Sequence, residues 1–240
     1  MQAIKIENLS KTYKNGVKAL NDFSLTIEKG ELYGLLGVNG AGKTTLINIL
    51  CGLSKKTSGK AYINGFDLDS QIDSIKNIID VSPQETSVAP NLTVLENLEF
   101  FANVYGVSDA MYLEEVISTF SLEDVLNQKA KTLSGGYKRR LSIAIALISK
   151  PQILFLDEPT LGLDVLARRE LWNIIKKLKG KITIILTSHY LEEIENLATR
   201  VAILSKGKLL KVGTTEEIKQ EYSATTFEDA FVKVVESANE

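Results

Sequence analysis

Apolar and polar residues alternate near the start of the chain, in "IKIENL" and again through "FSLTIEKGELYGLLG", as they do in strands with one buried face. The spacing predicts an N-terminal antiparallel sheet with a turn near Lys29-Gly30 and a last strand running into a glycine-rich loop. "AYINGFDL" predicts a hairpin through Asn64-Gly65, the dipeptide that accepts positive φ at both turn positions. After the strand "IIDVSPQ" the period lengthens. From about 94 to 148 the chain reads as helix, in "LENLEFFANVYG", "MYLEEVISTFSL" and "KTLSGGYKRRLSIAIALI", which predicts an inserted helical subdomain spanning about 87–149 with its connections. "QILFLD", "LARRELWNIIKKLK", "KITIILTS" and "LEEIENLA" then alternate strand and helix in the manner of a parallel sheet covered by helices. A hairpin, "VAILSKGKLLKVG", closes the pattern. With no internal repeat and no low-complexity linker, residues 1–213 read as one α/β domain, followed by a polar helical tail over 214–240.

Composition narrows the partners more than the fold. A chain of 240 residues with 44% hydrophobic residues can bury a sizeable core, and a net charge of −2 provides no basic footprint for a nucleic-acid backbone. No nucleic-acid partner is expected. The single cysteine, Cys51, cannot form an intrachain disulfide and sits in the apolar run "INILCGL", where a core thiol in a reducing compartment is the plain reading. The N-terminus lacks the apolar stretch of a signal peptide, and no run approaches 18 apolar residues. Any membrane role is expected to run through a partner.

"KTLSGGYKRRLSIAIALI" sets a question. Helix N-termini favour acids, yet here a helix opens behind Ser134-Gly135-Gly136 with Lys138, Arg139 and Arg140 and no acid. The three bases read either as a solvated face or as direct contacts. A second glycine-rich segment, "GVNGAGKT", matches the phosphate-binding pattern G-x-x-x-x-G-K-[ST], follows a strand and precedes a helix. Its backbone N–H groups, around Gly37, Asn39, Gly40, Ala41 and Gly42, suit phosphate oxygens. Lys43 reaches the β and γ phosphates, Thr44 offers a hydroxyl to Mg²⁺, and Thr45 lies beside it.

"ILFLDE" is an apolar strand ending in Asp157 and Glu158 before Pro159. Such a pair serves equally as a turn cap, but beside a phosphate loop Asp157 suits Mg²⁺ and Glu158 suits the attacking water. His189, the only histidine, ends the strand "TIILTSH", at the edge where parallel sheets bind ligands. Its side chain suits donation to a γ-phosphate. Gln84 ends "VSPQ" and reads equally as an exposed loop amide. Tyr13, in "SKTYKNG", is either an adenine-stacking aromatic or a surface tyrosine.

Taken in order, "GVNGAGKT", Gln84, "LSGGY", "ILFLDEP", "TLGLD" and "SH" resemble the ATP-binding subunits of ABC transporters, over about residues 2–215. The resemblance implies a P-loop NTPase core with a mostly parallel sheet, an antiparallel β subdomain at the N-terminus and the helical insertion. It implies ATP and Mg²⁺ as cofactors, Tyr13 against adenine, and Gln84 sensing Mg²⁺ and the γ-phosphate. Leu163-Asp164 would lie in a loop crossing a dimer interface. In that family the signature loop serves ATP held by a second ATPase subunit, identical or homologous, which would make the partner's γ-phosphate the anion that Ser134, Gly135 and Gly136 await. Tyr137 departs from the commoner glutamine at the fifth position.

"PNLTVLENL", "SGGYKRRLSIA" and "TTFEDAFVKVV" resemble the drug, ion and lipid-linked exporter branch. The expectation is an ATPase held at the cytoplasmic face of the membrane by membrane-spanning permease subunits, powering export. A soluble ABC ATPase acting on ribosomes or DNA, or a regulatory module without turnover, is the alternative. The former usually has tandem cassettes or long coiled coils, neither of which is present here, and an intact Glu158 and His189 count against the latter. The lack of a long C-terminal regulatory domain points away from sugar importers.

Overall fold

The computed structural model of the chain describes residues 1–238. The first two strands, β1 (Gln2–Thr12) and β2 (Lys18–Glu28), pair antiparallel. A turn at Lys29-Gly30 follows, where Gly30 takes φ 77°, but the next strand does not pair back onto β2. This strand, β3 (Leu32–Leu36), pairs in parallel with two strands from the far end of the chain. The expected antiparallel continuation is therefore corrected. All five residues of β3 are buried, the mark of a strand covered on both faces rather than one.

Next come α1 (Lys43–Leu50), β4 (Ser58–Ile63), β5 (Phe66–Asp67), α2 (Ile72–Lys76) and β6 (Ile79–Ser82). The hairpin between β4 and β5 turns on Asn64 at φ 49° and Gly65 at φ 86°, as the dipeptide requires. The helical insertion contains α3 (Val94–Val104), α4 (Ala110–Thr119) and α5 (Gly135–Ile148). The capping box of Thr93 and Glu96 starts α3. The alternating segment follows as β7 (Ile153–Asp157), α6 (Val165–Leu178), β8 (Thr183–Ser188), α7 (Leu191–Leu197) and β9 (Arg200–Ser205). The chain then runs through β10 (Lys208–Gly213), α8 (Thr215–Glu221) and α9 (Phe227–Ser237).

The strands form an antiparallel sheet ordered β2-β1-β4-β5 and a larger sheet ordered β10-β9-β3-β8-β7-β6, parallel except for the β9–β10 hairpin. The larger sheet is the middle layer. Leu32, Leu36, Leu154, Leu156, Ile184 and Leu186 face a core shared with the helices. Their alternating neighbours Tyr33, Leu35, Ile153, Phe155 and Ile185 face a second core under the small sheet. The tail is less polar than expected: Ile218, Phe227, Ala230 and Val234 are buried in the helical-side core. Register also sets the functional edge. Leu36 stands opposite Ser188, Asp157 opposite Thr187, and Ser82 opposite Leu156, so the residues that follow β3, β6, β7 and β8 emerge along one side of the sheet.

Candidate nucleotide site

At that edge a cavity of about 650 Å³ opens, and its wall includes Tyr13, Asn39, Gly40, Ala41, Gly42, Lys43, Thr44, Thr45, Gln84, Glu158 and His189. The phosphate loop bends into α1 through Gly42, which takes φ 107°, and a Cβ there would meet the Ala19 carbonyl oxygen at 2.5 Å. Only glycine meets both demands. No side chain caps α1 and no acid occupies its first turn, which leaves its N–H groups directed at the cavity.

Lys43 is 5% exposed. Its Nζ donates to the Gly37 carbonyl at 2.6 Å and stands 3.7 Å from Glu158 Oε1. Burial lowers the pKa of this amine, while Glu158 and Asp157 act in the opposite direction. Asp157 lies just beneath. Its Oδ1 accepts from Thr44 Oγ1 at 3.4 Å and from Thr187 Oγ1 at 2.5 Å. The Glu158 N–H donates to the same Thr187 hydroxyl at 2.9 Å. Glu158 takes φ 46°, a left-handed conformation that costs a non-glycine residue roughly 1–2 kcal/mol. His189 Nδ1 lies 3.0 Å from Glu158 Oε2, without the alignment of a hydrogen bond. One carboxylate thus faces both a lysine and the histidine.

Tyr13 stands across the cavity, 39% exposed, with its hydroxyl 3.2 Å from Thr45 Oγ1 and Lys11 Nζ 4.9 Å from its ring centre. Gln84 is exposed on the cavity wall. Lys18 and Ala19 from β2 and Lys206 from the β9–β10 turn also line the cavity. Sequence reasoning missed all three, because nothing local marks strand ends and hairpin tips that tertiary packing brings to a loop. Thr187 was missed too, although it precedes Ser188-His189 directly.

Gly37 and Asp157 do not line the cavity but are bonded to Lys43 and Thr44 of its wall, and four further expected residues lie elsewhere. Ser134, Gly135, Gly136 and Asp164 are not part of the cavity wall. Ser134 caps α5, its Oγ accepting from Tyr137 N at 3.4 Å, and Asp164 caps α6, its Oδ1 accepting from Leu166 and Ala167 N–H at 2.9 Å. The two helix starts are neighbours: a Cβ on Gly136 would meet Ala167 Cβ at 3.0 Å. One on Gly135 would meet nothing closer than Leu163 Cδ2 at 3.8 Å.

The basic run is no solvated face. Arg139 and Arg140 are buried, and only Lys138 is half-buried. Arg140 pairs with Glu170 of α6 and lies over the Tyr137 ring, 4.8 Å from its centre. The tyrosine at the fifth signature position thus packs under a guanidinium. Cys51 ends α1 as a buried thiol whose pKa burial pushes up to about 12, which makes it inert.

The family described as ABC transporter matches residues 20–161. The chain belongs to that family. It is an ABC ATPase domain, and it binds ATP. It is 41% identical over 227 residues to the phospholipid-transporting ATPase ABCA3 of Homo sapiens, a match covering 92% of this chain but 13% of the relative. It is 40% identical over 222 residues to the daunorubicin/doxorubicin resistance ATP-binding protein DrrA of Streptomyces peucetius, covering 91% of this chain and 67% of that one. Among solved structures, an ATP-binding subunit of an ABC transporter superposes with a TM-score of 0.85 at 28% identity, over 97% of this chain and 99% of the other. A dimeric ATP-binding cassette in a post-hydrolysis state with ADP and Pi superposes with a TM-score of 0.78 at 29% identity, over 88% and 98%.

The donor set suits Mg²⁺. Thr44 and Asp157 bring a hydroxyl and a carboxylate together, with the Gln84 amide on the cavity wall. Among the described residues no cluster of three or more His, Cys, Asp or Glu could hold a metal. A cation here would share its ligands with phosphate oxygens and water, as Mg²⁺ does.

Proposed function

We propose that the chain is the ATP-hydrolysing subunit of an exporter, working as a dimer of cassettes whose two sites each combine the phosphate loop of one chain with the signature segment of the other. One observation carries this reading: the open helix start at Ser134-Gly135-Gly136 lies outside the cavity that the phosphate loop, Tyr13, Gln84, Glu158 and His189 line. Nothing within the chain demands glycine at Gly135, where φ is ordinary and a Cβ would have room. Its smallness serves something arriving from outside. The family relatives support the same arrangement, since one similar structure is itself a cassette dimer.

In this reading the first-turn N–H groups of α1 and the Lys43 ammonium hold the β and γ phosphates, and Tyr13 stacks on the base. Thr44, Asp157 and Gln84 hold Mg²⁺, which when bound draws charge from the phosphate oxygens. Glu158 orients the attacking water and accepts its proton, with its carboxylate aimed by the turn at the end of β7. His189 supports that carboxylate and donates to the γ-phosphate. Asp164, at the start of α6 beside the signature segment, contacts the opposing chain. Release of products reopens the dimer.

Among the described residues no helix is long and apolar enough to cross a membrane. Membrane-spanning permease subunits would therefore hold the protein at the cytoplasmic face. Phe100, Val104 and Tyr105 are exposed on α3 and its end, and Met111 on α4, and these apolar side chains of the helical insertion would offer a bearing surface to such a partner. Export is favoured over import by the phospholipid-transporting and drug-resistance relatives. No nucleic-acid role is proposed.

Mixing tests the shared site. In chains carrying Glu158→Gln, which hold ATP without splitting it, Lys43→Ala is added to one batch and Gly135→Asp to the other. Each batch alone is expected to stay monomeric with ATP on a sizing column. The mixture is expected to form dimer, because one of its two sites combines the intact phosphate loop of one chain with the intact signature of the other. A mixture that stays monomeric, even with the two chains covalently linked, would refute the arrangement.

A further inference from the structure

Arg139 is the most deeply buried cation of the chain's basic run, 3% exposed, and among the described residues it makes no ion pair. Its guanidinium is satisfied by carbonyls alone. Nε donates to Pro159 O and Nη2 to Asp157 O, both at 2.8 Å. Nη1 donates to Pro83 O at 2.5 Å and Gln84 O at 3.3 Å. Burying a charge is costly, and here burial lowers the arginine pKa to about 10, against the opposing pull of the Asp157 and Glu193 carboxylates. A buried apolar side chain on α5 would fill space without that cost, so the pattern of the four acceptors needs a reason.

The acceptors provide it. Asp157 and Pro159 flank Glu158 on either side, and Glu158 is held at φ 46°. The Thr187 hydroxyl takes the N–H of Glu158 itself. A left-handed non-glycine residue persists only where its surroundings over-determine it, and here the fork and the hydroxyl hold the peptide groups on either side while the Leu161 N–H donates to the Glu158 carbonyl at 3.1 Å. The remaining arm of the same fork holds the backbone of Pro83 and Gln84. One planar side chain therefore joins three segments: the signature helix, the loop of Gln84 and the turn of Glu158. A lysine, being a point charge, cannot reproduce that geometry.

We propose that Arg139 is a positioning residue for hydrolysis: its fork holds the Glu158 turn so that the carboxylate faces the phosphate loop, and it ties that turn to the Gln84 loop and the signature helix. The proposal rests on the reading of Glu158 as the base. It follows that displacement of the start of α5, as when a phosphate meets Ser134 to Gly136, reaches both Glu158 and Gln84 through one side chain.

The test measures phosphate release, affinity for a fluorescent ATP analogue and thermal stability in Arg139→Gln and Arg139→Lys. Arg139→Gln is expected to lower kcat about 100-fold while leaving nucleotide Kd within about three-fold, the split of a group that acts only after binding. Arg139→Lys, with charge kept and fork lost, is expected to fall about 10-fold. In the Glu158→Gln background, single-turnover hydrolysis is expected to lose no more than about two-fold on adding Arg139→Gln, because the group being positioned is already gone. Near-parental kcat in Arg139→Lys, a full further loss in the double variant, or failure of Arg139→Lys to fold would each overturn the proposal; the last would assign the guanidinium to stability alone. Near-parental turnover in Glu158→Gln would instead remove the base itself, whatever the Arg139 variants do.

Discussion

Helices α1 and α5 begin alike and end up in opposite situations. Each starts at a glycine-rich segment, and neither has an acid in its first turn. The start of α1 is enclosed: Lys43, Glu158, His189 and Tyr13 stand around it, and Gly42 is squeezed against the Ala19 carbonyl. The start of α5 is exposed at Ser134 and Gly135, capped by its own serine, whose Oγ accepts a long 3.4 Å bond from Tyr137 N, with Leu163 and Ala167 as its neighbours. Both offer unpaired N–H groups and a positive dipole end to an anion. The charged residues that would complete such a site surround only the first. Identical local physics thus yields an enclosed helix start in one place and an open one in the other, which on the proposed reading is half a site.

Substitutions should separate the two. Glu158→Gln is expected to leave ATP binding intact and to lower phosphate release about 1,000-fold; near-parental release would remove the base from the enclosed site. Lys43→Ala and Gly135→Asp then set the two helix starts against each other. Lys43→Ala should weaken ATP binding by the isolated chain about 100-fold through loss of a charge-assisted contact. Gly135→Asp should leave that affinity within about two-fold yet cost about 100-fold in turnover, because the new carboxylate repels a phosphate only when one is brought to α5. An acid in the first turn suits the helix, so folding should survive. Matching losses of affinity in both variants would place the two starts on the same nucleotide and dissolve the contrast.

Smaller effects sharpen the enclosed side. Tyr13→Ala is expected to raise KM about ten-fold at unchanged kcat, since stacking is made equally in the ground and transition states. A fall in kcat alone would give Tyr13 a part in the chemistry. Glu193 of α7 is fully buried four residues beyond His189, accepts from Trp172 Nε1 at 3.0 Å and faces Ser188, Thr160 and the Arg168 guanidinium. Burial raises its carboxyl pKa above the ordinary range, against the hydrogen bonds and Arg168. With the folded value raised, its contribution to stability is complete below the unfolded carboxylate pKa and is lost as pH rises through the folded value. Glu193→Gln, which keeps an acceptor for Trp172, should therefore gain Tm relative to the parental chain as pH is raised above the ordinary carboxylate range. A Tm difference that stays constant as pH rises would exclude the titration.

Legibility followed the range of the interactions involved. Gly42, Lys43 and Thr44 could be read because a strand, a tight turn and a helix start lie within one short stretch. Asp157, Glu158 and His189 could be read because each ends an apolar strand run, and register then sets those ends along one edge. Arg139 could not. Its run of three bases resembles a surface face, and its acceptors lie 18 to 56 residues away in sequence. The destination of β3 was misread for a related reason. An alternating strand before a turn predicts a hairpin, whereas a strand buried on both faces finds its partners through the packing of the whole sheet.

By itself the sequence determined the local elements: a phosphate-loop pattern at a helix start, a carboxylate pair at a strand end, a second glycine-rich helix start without an acid in its first turn. These depend on φ preferences, hydrophobic period and capping, which act over a few residues. Only the tertiary structure decided which of them meet. It drew β2 and the β9–β10 turn to the phosphate loop, buried Arg139 among the carbonyls around Glu158, and left Ser134 and Gly135 facing outward. Strand register, sheet order and the need of a buried guanidinium for acceptors are settled across the whole chain, so no short stretch of sequence encodes them.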